Sequence, residues 1–102
     1  MAQKRYQIRW AANAFKDYEI IYEALLSNWS SEIAAKFSQR LEAHLFNLSF
    51  HPFIGRKSEN KHNVRSILIS RFNRLYYSLD KDTIELIGIF DMRQNPAKNK
   101  FR

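Results

Sequence analysis

The sequence predicts an α+β domain: an N-terminal strand, then an antiparallel helical hairpin packed on a mostly antiparallel four-stranded sheet. Three observations lead there. Apolar residues alternate with polar ones at Tyr6-Gln7-Ile8-Arg9-Trp10, the signature of a strand with one buried face. The spacing then becomes helical through residues 12–50, interrupted once at Ser27-Asn28-Trp29-Ser30-Ser31. From Val64 onward the apolar residues return to short strand-like runs separated by polar turns.

Each element has its own reason. In the first helix, Ala12 to about Asn28, the apolar stripe is Phe15, Tyr18, Ile21, Tyr22, Leu25 and Leu26. Asp17, Glu19 and Glu23 fall mostly off that stripe, and the acidic residues in the early turns suit the positive end of the helix dipole. Ser30 or Ser31 supplies an N-cap for the second helix, with Glu32 in its first turn. That helix carries Ile33, Phe37, Leu41, Leu45 and Leu48 on one face. It must stop near Ser49 or Phe50, because Pro52 disfavours a helical His51. Two amphipathic helices joined by so short a loop fold back as a hairpin.

Residues 52–63 are polar and basic and read as a loop. Val64 to Ser70, Leu75 to Leu79, and Thr83 to Phe90 read as three strands, with Asp80-Lys81-Asp82 as a turn. The last run is almost continuously apolar, as a central strand is. Arg93 to Arg102 is a polar, basic tail with one aromatic, Phe101. The 102 residues read as a single domain.

Composition narrows the function. There is no Cys, so disulfide frameworks, thiolate metal sites and Cys nucleophiles are excluded. No apolar run approaches a membrane span, and Met1 to Tyr6 has charge without an apolar stretch behind it. A cytoplasmic protein with no membrane partner is the expectation. No glycine-rich phosphate loop, nucleophile elbow or metal-type cluster occurs, so no cofactor or metal is expected.

The net charge is +7, and its distribution is uneven: residues 1–51 hold six Lys/Arg and five Asp/Glu, residues 52–102 eleven and five. A basic half calls for an anionic partner, nucleic acid or an acidic protein, unless it merely solvates the surface. Arg56, Lys57 and Lys61 share the loop; Arg65, Arg71 and Arg74 flank the first two sheet strands; Arg93 follows the last. Gathered on a sheet face free of helices, they would form a concave basic surface able to grip phosphate. Asp91, two residues before Arg93, is placed to orient Arg93 or Arg74. Among the histidines, His44 reads as half-buried beside the helix stripe, His51 as a helix-end residue, and His62 as the one with phosphate-site neighbours.

The run Asn73-Arg74-Leu75-Tyr76-Tyr77-Ser78-Leu79, followed by a strand ending Asp91-Met92-Arg93-Gln94-Asn95-Pro96, resembles the RelE/ParE superfamily of type II toxins. Leu48 to Arg56, with its His51-Pro52-Phe53-Ile54-Gly55 core, looks like the ParE or plasmid-stabilisation branch. The resemblance spans Tyr6 to Lys98. It implies a growth-inhibiting toxin held in a hetero-oligomer by an acidic antitoxin that folds on binding. It further implies one of two targets. RelE-like members cut mRNA on the ribosome, and Arg65, Arg74 and Arg93 resemble their basic residues; the Tyr or His often found in the tail is absent here, leaving His62 or Glu59 to fill that role if the loop closes. ParE-like members poison DNA gyrase, and the long hairpin with its Trp29-Ser30 junction leans towards that branch. Arg56, Lys57, Lys61, Arg71, Lys98, Lys100 and Phe101 are then candidates for contacting target or antitoxin. A third expectation is a non-toxic module that binds only as a corepressor.

Overall fold

A computed structural model describes residues 4–102. The elements run β1 (Gln7–Trp10), α1 (Ala12–Asn28), α2 (Ser31–Phe50), β2 (Arg56–Lys57), β3 (Val64–Leu68), β4 (Asn73–Asp80), β5 (Thr83–Asp91) and a 3₁₀ turn, Pro96–Lys98. The helical hairpin therefore has the predicted limits. Ser30 caps α2 by accepting a hydrogen bond from the Ile33 N–H at 3.1 Å. At the other end the backbone N–H of His51 closes onto the carbonyls of Asn47 and Leu48.

The sheet has five strands rather than the four expected, in the order β1-β5-β4-β3-β2. The additional strand is Arg56–Lys57, inside the segment read as a loop: it pairs with Ser66 and Arg65 of β3. Two residues carry no periodicity, so only the β3 edge reveals them. Among the described residues β1 lies parallel to β5 and the other pairs are antiparallel. β1 starts at Gln7, one residue later than expected, because the Tyr6 amide donates to the Ser49 carbonyl of α2 instead of to the sheet.

The helices cover one sheet face. Leu75 and Tyr77 of β4, and Ile84, Leu86 and Ile89 of β5, meet Ala14, Phe37, Leu41 and Leu48 of the hairpin in the main core. A bulge makes this possible in β5. Tyr76 pairs with Gly88 and Tyr77 with Leu86, so Ile87 is the extra residue. The bulge returns Ile89 to the helix side and leaves Ile87, Gly88 and Phe90 facing the other way. There Val64, Tyr76 and Phe90 form a second, smaller cluster.

Asp17 has a task that helix-dipole reasoning did not give it. β1 stops where the Ala11 N–H reaches the Leu86 carbonyl, leaving the rest of that β5 edge open. The Asp17 carboxylate accepts the Ile89 N–H there at 2.9 Å, closing the ladder position that β1 does not reach.

Candidate functional site

The side of the sheet away from the helices carries the site. Its residues follow from register: Arg56 on β2 stands opposite Ser66, Ser66 opposite Tyr76, and Tyr76 opposite Gly88. Arg74 stands opposite Leu68 and Phe90, on the same face. A cleft of about 360 Å³ opens over this row, lined among others by Arg56, Ser66, Tyr76, Phe90, Asn99 and Arg102.

The floor is closed by the tail. Asn95 caps the 3₁₀ turn by accepting the Ala97 N–H, and the chain then folds back onto the sheet. The Asn99 amide donates to the Tyr76 hydroxyl at 2.9 Å. The Phe101 ring stacks on the Tyr76 ring, centroids 5.3 Å apart. Gly88 provides the room: a Cβ there would lie 2.0 Å from the Phe101 ring. Phe101, expected as a free contact residue, is thus half-buried packing against the sheet.

Arg74 is the most constrained cation of the face. One terminal nitrogen donates to the Ser66 hydroxyl at 3.0 Å. Its Nε is buried with no hydrogen-bond partner among the described residues. Desolvation, and then the neighbouring Arg56 charge, hold its pKa below the ordinary guanidinium value. The cleft itself is lined by the guanidinium groups of Arg56 and Arg102 and by the Glu59 carboxylate.

Arg65 belongs to a different structure. It shares the helix-side parity of Ile67 and Ile69, and one of its nitrogens donates to the carbonyls of Phe53 and Gly55 at 3.1 and 3.0 Å. Its guanidinium also covers the Phe53 ring. Tyr77, its cross-strand neighbour, pins the same loop: its hydroxyl donates to the Pro52 carbonyl and accepts the Gly55 N–H. Burial pushes the Tyr77 phenol above its usual range. Arg65 and Tyr77 therefore hold residues 52–55 in place.

Arg93 is engaged elsewhere again. Its Nε and a terminal nitrogen donate to the two oxygens of Asp91 at 3.0 and 2.7 Å, a bidentate pair. Of the two partners expected for Asp91, the structure gives it Arg93. The guanidinium lies 4.4 Å above the Phe72 ring, and Arg71 also lies over that ring, at 5.1 Å.

The remaining expected positions lie around these. Lys57 and Lys61 are exposed beside the cleft mouth and in the adjoining turn. Lys98 and Lys100 are exposed on the tail. His62 is exposed in the turn after β2 and does not line the cleft. His44 is half-buried. Asn99 and Arg102 went unremarked in the sequence; only the lone aromatic between polar tail residues hinted that this segment docks. Among the described residues no cluster of His, Asp or Glu is arranged for a metal.

A two-helix hairpin on a five-stranded mixed sheet with a basic outer face defines the small toxin fold of the RelE/ParE superfamily. The chain belongs to the ParE toxin family of the type II toxin–antitoxin system parDE, whose family model matches residues 8–96. Among solved structures it is similar to a chain of the chromosomal ParDE toxin–antitoxin system from P. aeruginosa, with TM-score 0.74 and 20% identity over 88% of this chain and 99% of that one. It is also similar to a chain of the RelBE2 toxin–antitoxin complex from Mycobacterium tuberculosis, with TM-score 0.59 and 18% identity over 88% and 94% of the two chains. A variant of the E. coli toxin RelE in the free state matches with TM-score 0.61 and 17% identity over 87% and 85%. No curated protein sequence matches the chain. Among the described residues, no helix is long and apolar enough to cross a membrane.

Proposed function

We propose that this ParE-family toxin acts in the cytoplasm by binding and poisoning DNA gyrase, and that an acidic antitoxin neutralises it in a hetero-oligomer. One observation carries the choice of target. The three arginines matched to a nuclease site are engaged separately: Arg65 with loop carbonyls, Arg74 with Ser66, Arg93 with Asp91. Strand cleavage needs cations converging on one phosphate and a group to move a proton. His62 is exposed outside the cleft, and the Tyr76 hydroxyl is held by Asn99 beneath Phe101. A surface that recognises protein makes no such demand. The net charge of +7 supports the acidic antitoxin, as do the toxin–antitoxin complexes among the similar structures.

A second reading, ribosome-dependent mRNA cleavage, has one observation in its favour: the Arg74 guanidinium feels the Arg56 charge on the same sheet face and keeps its Nε unpartnered among the described residues. Induced expression without antitoxin separates the two. Gyrase poisoning gives growth arrest with an SOS response while translation continues at first. Immediate loss of translation with cut transcripts and no SOS response would overturn the proposal in favour of the second reading. No arrest at all would leave a corepressor module.

A further inference from the structure

The end of α2 and the turn after it carry apolar side chains that the fold leaves outside yet surrounds with specific contacts. Phe46 is 59% exposed, Phe53 62% and Ile54 55%. They flank the turn His51–Ile54, closed by the Ile54 N–H on the His51 carbonyl. Each aromatic ring among them has a partner laid against it. Phe46 and Phe50 meet edge to face at 5.3 Å. The Arg5 guanidinium covers both rings, at 5.3 and 5.5 Å, and its Nε is anchored on the Ser49 hydroxyl. On the other side of the turn Arg65 covers Phe53 while bonded to the loop carbonyls, and Tyr77 fastens that loop from within the core.

Neither guanidinium has a carboxylate partner among the described residues, whose ion pairs are Lys4–Asp82, Arg9–Glu85 and Arg93–Asp91. A planar cation laid on an aromatic ring can offer its remaining N–H groups to a carboxylate. Apolar anchors ringed by oriented, unneutralised arginines cost little entropy to bind and select for charge.

We infer that this shoulder, Phe46, Phe50, Phe53 and Ile54 with Arg5 and Arg65, docks a protein segment in which carboxylate and large apolar side chains alternate. The inference rests on the proposed encounter with an acidic protein partner and assigns that encounter a surface apart from the cleft. A second copy of this chain is disfavoured as occupant, because it would set Arg5 and Arg65 against other cations on a molecule of net charge +7.

The test uses a short synthetic peptide of alternating Glu and Leu, with a control in which Ser replaces Leu. Amide shifts in the full chain are followed by NMR alongside titration. The Leu peptide is expected to bind, shift residues around 46–54, and weaken as salt rises. Phe46→Ser combined with Phe53→Ser should weaken it about tenfold while amide shifts away from residues 46–54 keep their wild-type positions, showing that the fold is retained. Arg5→Gln should weaken it with the rings intact. Equal binding of the Ser control, or shifts confined to Arg56 and Tyr76, overturns the inference. So does binding of the chain to phosphatidylserine vesicles, but not to the peptide, through the same phenylalanines; so does self-association abolished by Phe46→Ser. If the chain proves non-toxic while the peptide still docks on the shoulder, the function proposed above fails and this inference stands.

Discussion

The ring of Phe101 lies against the ring of Tyr76, with centroids 5.3 Å and planes 25° apart. One residue comes from the tail and the other from the middle of β4, so this contact decides what the basic cleft has for a floor. A mobile tail would offer Phe101 to a partner. A docked tail spends it on packing against Tyr76 and Gly88, with Asn99 fixing the hydroxyl of Tyr76, which lines the cleft.

Phe101→Ala should destabilise the chain by about 1–2 kcal/mol, combining partial apolar burial with the aromatic contact. Gly88→Ala should cost a similar amount, because the new methyl takes the space of the Phe101 ring. The two substitutions together should cost less than their sum, since removing the ring removes the clash. Urea unfolding of the three variants measures this; strict additivity would mean the ring does not sit over Gly88.

Tyr77→Phe should cost roughly 1–3 kcal/mol, since the Pro52 carbonyl and Gly55 N–H both lose their buried partner. The damage should be local. Hydrogen exchange at residues 52–57 should accelerate more than exchange in α1, and Arg65→Ala should accelerate the same segment. Uniform acceleration across the chain would count against a loop clamp.

The Asp91 carboxyl is held below its ordinary value, chiefly by hydrogen bonds from Arg93. A depressed folded-state pKa means stability that is present above the unfolded carboxyl pKa and lost as pH falls through the folded one. The Arg93 side of the pair is exposed and screened by solvent, so the effect should be small. Comparing wild type with Asp91→Asn in urea at neutral pH and at about pH 3 isolates it: the gap should narrow in acid. A gap that widens in acid would contradict the assignment.

Asp17→Ala should lower stability by about 1–3 kcal/mol by orphaning the Ile89 amide, and Asp17→Asn by less, because its carbonyl still accepts. Equal losses in the two variants would show that the charge, rather than the ladder contact, is what matters.

Much of this molecule is legible in its sequence, and the parts that are not share a cause. The hairpin is written locally: a helical stripe, the Ser30 cap, and Pro52 just past the end of α2. The β4–β5 hairpin is equally local, with Lys81 taking the left-handed φ of 53° that its tight turn requires. Pairings between distant segments are not. Arg56–Lys57 is a strand only because β3 lies beside it, and the parallel β1–β5 contact leaves no mark in either run. Arg65 was grouped with Arg74 because its charge looked alike, yet the parity shared with Ile67 and Ile69 places it on the helix side. Val64, on the opposite face, blurred that alternation. Phe101, a candidate contact residue from the sequence, is instead packed on Tyr76 over Gly88, and beyond a lone aromatic in a polar tail nothing in the sequence signals that docking. For the candidate site, residue types were legible, whereas their convergence depended on strand register and on the path of the tail.

The most direct test of the central claim is made in vitro with the purified chain, adding it in parallel to gyrase with supercoiled DNA and to programmed ribosomes. The proposed function predicts gyrase-dependent accumulation of cleaved DNA, reversed by the antitoxin, with the ribosome-bound mRNA intact. Cleavage of that mRNA, lost in Arg74→Ala, with gyrase turnover unaffected, would contradict it.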